Sequence, residues 1–165
     1  MTDPANPAWS GETPAAFRRS EVSAIVGFGD AAWRCAAHDV LRWVVKTGSG
    51  FRVSDASPVT PGARLVVTAR VLGMRITEPV EVVEVVTRPD RVGFSYRTLP
   101  GHPVSGEEAF VVHRDGDAVR LTVRSLTRAA PRQPWRALYP LLRIAQAVAR
   151  RRYLRALRRP RISLV

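Results

Sequence analysis

The sequence predicts an α+β fold in which a curved antiparallel sheet of about six or seven strands wraps on a long C-terminal helix. Three observations support this prediction. Apolar and polar residues alternate with a period of two through the middle of the chain, and two other segments show a helical period. Turn-forming Gly, Pro and Asp separate the segments. The 165 residues are enough for one domain with a single core.

The chain divides into three parts. Residues 1–14 contain three prolines among small and polar residues and are expected to form a flexible arm, in which Trp9 is suited to dock on the body. Residues 15–159 form the single domain, and residues 160–165 form a C-terminal tail.

The first elements of the domain are a strand and a short amphipathic helix. Residues 17–26 predict the strand, and Gly27–Phe28–Gly29 interrupts it. Asp30 is positioned to cap the helix N-terminus, and the glycines that follow residue 46 predict the end of the helix there. Its apolar face consists of Trp33, Ala37, Val40 and Val44.

The middle of the chain predicts half-buried antiparallel strands joined by tight turns. One stretch, residues 80–86, does not alternate cleanly, because in either register a glutamate shares a face with valines. We expect a β-bulge there, since a buried carboxylate without a partner is costly. The alternating apolar sets are Leu65, Val67, Ala69 and Val71; Val92, Phe94 and Tyr96; and Val119, Leu121 and Val123.

A long amphipathic helix follows Pro134, and its regular part is expected to begin near Pro140. We expect its apolar face to cover the sheet. That face consists of Leu138, Leu142, Ala145, Ala149 and Ala156, flanked by Leu141, Val148 and Tyr153.

The positive charge is concentrated in the last part of the chain. Of 26 basic residues only Lys46 is a lysine, and residues 128–165 carry 11 arginines and no acid, whereas the first 127 residues carry 15 basic and 14 acidic residues. Such asymmetry points to an anionic membrane surface or non-specific nucleic acid as partner, and a solvated helix face is the alternative. The candidate anion-binding residues are Arg150, Arg151, Arg155, Arg158 and Arg159.

Several classes of protein and site are excluded. No apolar run approaches the roughly 18 residues of a membrane-spanning helix and no leader is visible, so a cytoplasmic protein without a transmembrane segment is expected. The single cysteine, Cys35, cannot form an internal disulfide. The three histidines lack the spacing of a metal site, and we expect neither a metal nor a cofactor.

The order of elements resembles the helix-grip arrangement of START-like and Bet v 1-like proteins. In that arrangement a long C-terminal helix covers one face of the curved sheet and leaves a space between the two layers. The resemblance implies that an apolar or amphipathic small molecule binds in this cavity. It is a resemblance of architecture, and a fold alone does not determine function.

A closer resemblance rests on Phe94–Pro103, which has the sequence FSYRTLPGHP, followed by GEEAF at Gly106–Phe110. These residues are similar to the motif of the uncharacterised family called domain of unknown function nineteen-ninety, in which Tyr-Gly-Thr-Leu-Pro-Gly-His-Pro precedes Gly-Glu-Glu-Ala-Phe. Weaker similarity covers residues 15–159. Arg97 replaces the usual glycine and Val80–Glu81 replaces a Cys-Arg pair, so a site built on these positions is altered here. The resemblance implies no particular activity.

His102 is the candidate catalytic residue, because prolines on both sides restrict the backbone around a titratable imidazole. The alternative is a structural turn in which His102 bonds to backbone groups. Glu107 and Glu108 point to opposite faces of a strand, so only one can enter the cavity and a paired acid–base mechanism is disfavoured. The candidate ligand-binding residues are Phe94, Tyr96, Arg97, His102, Glu107, Glu108 and Phe110.

Three functional hypotheses follow. The first is a helix-grip domain that binds a hydrophobic or amphipathic small molecule between sheet and helix. The second is an adaptor that docks on an anionic membrane or nucleic acid through the arginine-rich helix. The third is an enzyme that uses His102 as an acid or base.

Overall fold

The computed structural model describes residues 1–71, 74–130 and 134–158. The strands are β1 (Arg18–Phe28), β2 (Arg52–Val53), β3 (Arg64–Val71), β4 (Met74–Arg88), β5 (Arg91–Thr98), β6 (Val104–Asp115) and β7 (Ala118–Ala129), and the helices are α1 (Gly29–Val40), α2 (Val44–Thr47) and α3 (Trp135–Ala156). The strands form one antiparallel sheet in the order β1-β7-β6-β5-β4-β3-β2. The predicted α+β fold, with seven strands and a long C-terminal helix, is confirmed.

The predicted bulge in the valine-rich segment is present in β4. The register of β4 against β5 shifts between Val82 and Glu84, so that β4 accommodates an extra residue. The shift leaves Val82 buried, and the carboxylate of Glu81 accepts hydrogen bonds from Arg64 (2.8 Å) and Arg97 (2.7 Å). The prediction of a bulge rather than an inward, unpaired carboxylate is therefore confirmed.

The predicted helix after β1 is divided into two pieces. α1 ends at Val40, and Trp43 adopts a left-handed backbone conformation (φ 61°) before α2 begins. The prediction of one continuous helix to residue 46 is wrong at this point. The turn at Trp43 lets its ring enter the core, where the ring centroids of Trp43 and Phe94 are 4.7 Å apart.

The junction between β1 and α1 also differs from the prediction. β1 continues through Phe28, and Gly29 turns the chain with a positive φ of 75°. The N–H of Gly29 donates to the carbonyl of Asp117 (2.9 Å), so a backbone contact holds the start of the helix. Asp30 is not a cap: no side chain caps α1, and Asp30 accepts a hydrogen bond from Arg114 (2.7 Å).

α3 covers the concave face of the sheet and packs most deeply near its C-terminus. The helix begins at Trp135, earlier than predicted, because Pro140 is accommodated inside it. Tyr153 and Leu157 at its far end are 3% and 7% exposed. From the predicted inward face, Leu142, Ala145, Ala149 and Ala156 are half-buried, whereas Leu138 and the flanking Leu141 and Val148 are exposed. Neither α3 nor another helix in the described residues is long and apolar enough to cross a membrane.

Residues 1–9 pack on the outer face of the sheet, which differs from the flexible arm expected for residues 1–14. Thr2 is fully buried, and Trp9 is 8% exposed. The guanidinium of Arg124, in β7, donates hydrogen bonds of 2.5–3.3 Å to the carbonyls of Thr2, Asp3, Asn6 and Pro7. It also donates to Glu21 of β1 (2.9 Å). This planar group with five donors is the main anchor of the segment, and Arg91 adds hydrogen bonds to the carbonyls of Pro4 (2.6 Å) and Asn6 (3.1 Å).

Replacement of Arg124 by lysine is expected to release the N-terminal segment, because a single ammonium cannot reproduce the array of donors. We expect a broad-specificity protease to cut between residues 3 and 9 of Arg124→Lys much faster than in the wild type, as mapped by mass spectrometry. The stability loss in urea is expected to be about 1–3 kcal/mol. The control Arg120→Lys changes an arginine of the same strand that pairs with Asp115, and its segment should stay protected. Equal cleavage of both variants would contradict the assigned role of Arg124.

Candidate functional site

A cavity of about 370 Å³ lies between α3 and the concave face of the sheet. Its wall has a polar part and an apolar part. The main polar or ionisable lining residues are Lys46, Glu78, Tyr96, His102, Glu108 and Tyr153. The main apolar lining residues are Phe51, Ile76, Leu142, Ala145, Val148 and Ala149. We refer to the first group as the polar floor, and the arrangement suits a molecule with one polar and one apolar end.

The ammonium of Lys46 is the centre of the polar floor. Lys46 lies in α2 and is only 3% exposed. Its Nζ donates to the hydroxyl of Tyr153 (2.7 Å) and lies 3.1 Å from Oε2 of Glu108. Burial by itself disfavours the ammonium, but the attractions of Glu108, Tyr153, Tyr96 and Glu78 together outweigh it, and the pKa of Lys46 is raised well above its usual value. Lys46 is therefore a cation at neutral pH.

Aromatic rings surround the same ammonium. The centroids of the Phe51, Tyr153, Tyr96 and Phe110 rings lie 4.8, 4.9, 5.2 and 5.7 Å from Nζ. Such distances allow cation–π attraction, which is strongest where water is excluded. The rings thus provide part of the solvation that Lys46 loses on burial.

The carboxylate of Glu108 connects Lys46 to Tyr96. The Tyr96 hydroxyl donates to the same Oε2 that faces Lys46. Burial, and then the charge of Glu108, raise the pKa of Tyr96 well above its usual value. Tyr96 consequently keeps its proton at neutral pH and acts as a donor. Lys46, Glu108 and Tyr96 form a compact network with each charge paired.

Glu78 is a second carboxyl group beside this network. It enters from β4, and its side chain has no hydrogen-bond partner among the described residues. Burial raises its pKa, and the attraction of Lys46 opposes that shift. Lys46 therefore faces two carboxyl groups rather than one.

His102 lines the cavity from the loop between β5 and β6. The Nδ1 atom of its imidazole accepts a hydrogen bond from the backbone N–H of Val104 (3.0 Å), and the backbone N–H of His102 donates to the carbonyl of Leu99 (3.1 Å). Burial, and then the charge of Lys46, lower the pKa of His102 from 6.5 to about 3. The imidazole is neutral at physiological pH, and because Nδ1 is an acceptor, Nε2 carries the proton.

The structure brings together only some of the predicted ligand-binding residues. Tyr96, His102 and Glu108 line the cavity and belong to its polar floor. Glu107 also lines the cavity, but its carboxylate accepts hydrogen bonds from the backbone N–H and hydroxyl of Thr2 in the N-terminal segment. The two adjacent glutamates thus have different partners, as their alternation along the strand requires.

Three other predicted ligand-binding residues do not line the cavity. Phe94 and Phe110 are fully buried in the core, where they pack on each other with centroids 5.8 Å apart. Arg97 follows Tyr96 and so points to the other side of β5, where it pairs with Glu81 (2.7 Å). These three residues are therefore outside the cavity wall, and aromatic size and position in a motif do not distinguish core from cavity wall.

The candidate anion-binding arginines lie along α3. Arg151, Arg155 and Arg158 are exposed and Arg150 is half-buried. Arg159 lies outside the described residues. The candidates that are described form no salt bridge within the described part of the chain.

Sequence reasoning missed Lys46, Glu78 and Tyr153. One signal was available for Lys46: it is the single lysine among 26 basic residues and lies at the end of an apolar helix face. Arginine is used at every other basic position, so a lysine there indicates a site that needs a compact ammonium. No comparable signal marks Glu78, because its burial depends on how α3 crosses the sheet.

The antiparallel sheet gripped by a C-terminal helix, with a cavity between them, defines a helix-grip protein of the START-like or Bet v 1-like class. Within that class, the chain belongs to the family described as Domain of unknown function (DUF1990), whose model matches residues 4–156. A relative from Deinococcus radiodurans, called UPF0548 protein, is 34% identical over a 173-residue alignment that covers 93% of this chain and 84% of the relative. The resemblance predicted from the motif is confirmed.

Solved structures share the fold at low sequence identity. Hypothetical protein jhp0584 from Helicobacter pylori has a TM-score of 0.61 and 16% identity, with 90% of this chain and 89% of that chain covered. Ara h 8.0201 has a TM-score of 0.51 and 11% identity, with 83% of this chain and 95% of that chain covered. Identities this low relate the architecture of these proteins and not their ligands.

Lys46 and Glu108 are expected to be energetically coupled, so that removal of both costs less stability than the sum of the two single removals. Glu108→Gln leaves a buried ammonium without its nearest counter-charge, and we expect a loss of about 3–5 kcal/mol in urea unfolding. The double variant Lys46→Met with Glu108→Gln should lose clearly less than the sum of the two single variants. Glu81→Gln breaks a more solvated ion pair and serves as control, with a loss of about 1 kcal/mol or less. Additive losses would show that Lys46 and Glu108 do not interact in the folded protein.

The stability of the protein is expected to fall as His102 is forced to take up a proton. Because its pKa is 6.5 in the unfolded chain and about 3 in the folded one, protons bind preferentially to the unfolded state between these values. The contribution is present above pH 6.5 and is lost on acidification by up to about 1.4 kcal/mol per pH unit. His102→Asn keeps an acceptor for Val104 and does not titrate.

Urea unfolding at several pH values between about 7 and 4 checks this expectation. The gap between the wild type and His102→Asn should narrow as the pH falls. His38→Asn, which changes a histidine with a 58% exposed side chain, should follow the wild type. Parallel pH profiles for the wild type and His102→Asn would refute the burial-induced shift.

Proposed function

We propose that the protein binds a small amphipathic molecule in the cavity between α3 and the sheet, with the polar end of the molecule on the polar floor. The observation that supports this most directly is that a cavity of about 370 Å³ is lined by two groups without a hydrogen-bond partner among the described residues, the carboxyl of Glu78 and Nε2 of His102. Ligand pockets commonly have volumes of about 300–1,000 Å³ and combine an apolar wall with few polar groups. The Bet v 1-like fold is compatible with this function.

The polar floor favours a neutral polar end, such as a hydroxyl or carbonyl group. The positive charge of Lys46 is already offset by Glu108, and Glu78 adds a second carboxyl group close to it. A ligand carboxylate at the floor would therefore meet two carboxyl groups and one ammonium. A neutral oxygen instead can accept from Nε2–H of His102, and a hydroxyl can donate to Glu78.

The apolar end of the ligand would lie against α3. Leu142, Ala145 and Ala149 are half-buried and line the cavity from the helix, while Ile76 lines it from β4. The exposed side chains of Arg70 and Arg152 also line the cavity, at its solvent side, where water weakens their attraction for an anion. Burial of the apolar part would supply most of the binding free energy.

The geometry does not favour an enzyme that uses His102 as acid or base. With a pKa of about 3, His102 has no proton to give from an imidazolium at neutral pH and is a weak base. Its Nδ1 is occupied by a backbone N–H, and no carboxylate among the described residues orients it.

Decanol and decanoate, which have the same chain length and different end groups, test the proposal. We expect isothermal titration calorimetry at neutral pH to show one decanol bound per protein and weaker binding of decanoate. Ala149→Trp fills the cavity and should weaken decanol binding roughly tenfold or more. Ala147→Trp makes the same change at an exposed position that does not line the cavity and should bind like the wild type.

The two parts of the proposal fail in different ways. Unchanged decanol binding by Ala149→Trp, with its helix content and unfolding transition intact, would mean that the cavity is not the binding site. Tighter binding of decanoate than of decanol would leave the cavity as the site and would overturn the preference for a neutral end group.

A further inference from the structure

The outward side of α3 carries apolar side chains that nothing in the described structure covers. Leu141, Ile144 and Val148 are 63%, 64% and 43% exposed. At 100° per residue these three side chains fall within about 60° of one another around the helix axis. They form a stripe, which we call the exposed apolar stripe, and Val148 lies at its border with the cavity, which it also lines.

Arginines continue the same side of α3 toward its C-terminus. Arg151 and Arg155 follow Val148 by three and seven residues and are exposed. Arg143 lies farther round the helix and is also exposed. The chain has no acidic residue after Asp117, so no carboxylate on α3 itself can neutralise them. The outward side of α3 therefore combines apolar side chains with an uncompensated positive charge.

We propose that this side of α3 docks on the surface of an anionic lipid bilayer, with the exposed apolar stripe in the interfacial region and the arginines on lipid phosphates. Helices that lie in the bilayer interface combine these two features. Attraction of basic side chains to anionic lipids brings the helix to the surface, and burial of apolar side chains holds it there. The proposal does not depend on which molecule occupies the cavity.

Two other occupants fit the surface less well. Nucleic acid would contact the arginines, but its phosphate backbone gives Leu141, Ile144 and Val148 nothing to pack against. A second copy of the chain could cover the stripe, but it would bring two sets of arginines together with no acid on either helix. A bilayer satisfies the apolar and the charged groups at once.

Co-sedimentation with lipid vesicles tests the proposal. We expect the wild type to bind phosphatidylcholine vesicles that contain phosphatidylserine, and to bind pure phosphatidylcholine vesicles much more weakly. Raising the salt from about 0.05 M to about 0.5 M should weaken binding without abolishing it, because salt screens the arginines and not the apolar contact. Binding that is equal for the two vesicle types would overturn the role of the arginines.

The apolar contribution is tested by Leu141→Gln with Ile144→Gln, which should weaken vesicle binding roughly tenfold or more. The matched control is Phe28→Gln with Met74→Gln, because these side chains are 55% and 61% exposed and lie on other elements. The control should bind like the wild type. Unfolding curves of both double variants check that the fold is intact, since exposed side chains contribute little to stability.

The charge contribution is tested by Arg151→Gln with Arg155→Gln, which should weaken binding roughly tenfold. Arg52→Gln with Arg75→Gln removes the same charge from exposed positions on β2 and β4 and should have a much smaller effect.

Two competing measurements can overturn the proposal. One is binding to double-stranded DNA that matches vesicle binding in salt dependence and is unaffected by Leu141→Gln with Ile144→Gln. The other is a dimer in sedimentation analysis that dissociates in that variant.

Discussion

The buried ammonium of Lys46 is the interaction on which the rest of the site depends. It joins α2 to β6 through Glu108 and to α3 through Tyr153, so one charge connects three elements that are distant in the chain. Since an unpaired charge at this depth is very costly, the positions of these elements are coupled. Tyr153 is 3% exposed, and its bond to Lys46 fixes which side of α3 faces inward. Leu141 and Ile144 are directed outward as a consequence.

Other polar groups of the cavity wall oppose closure of the cavity beneath α3. A helix that settled onto the sheet would bury Glu78, the Nε2–H of His102 and the hydroxyl of Ser125 without partners. Each such group costs free energy of the order of 1–3 kcal/mol when it loses water and gains no hydrogen bond. If α3 packed tightly on the sheet, Ile76 and Leu142 would gain apolar contacts, but these polar groups would lose their contacts with water. The space between sheet and helix is thus maintained by polarity as well as by the curvature of the sheet.

Much of the fold could be predicted from the sequence, because strand alternation and helix periodicity are local properties of the chain. The bulge in β4 was predictable for the same reason: the valines of residues 80–86 leave no clean register for their glutamates. The turn at Trp43 was not, because a left-handed tryptophan is stable only when a core receives its ring. The packing of residues 1–9 on the sheet could not be predicted either, since it depends on contacts with strand residues such as Arg124, more than 110 residues away in sequence. Contacts over such separations leave no local pattern.

The candidate site was predictable only where a residue lay in a distinctive motif. Tyr96, His102 and Glu108 were identified this way, but the motif also contains Phe94 and Arg97, which have other roles. The two groups differ in whether the side chain faces the cavity, which is a property of the assembled layers. The prediction for α3 has the same limit. Its small residues Ala145, Ala149 and Ala156 are half-buried as predicted, but several larger apolar residues of the predicted inward face and its flanks are exposed. A helix that covers a cavity buries fewer side chains than one that packs on a solid core, so an amphipathic pattern overestimates its contact. Leu141 and Ile144 lie on the side of α3 that does not line the cavity, so the apolar residues of a helix sequence include side chains that its contact with the sheet leaves exposed.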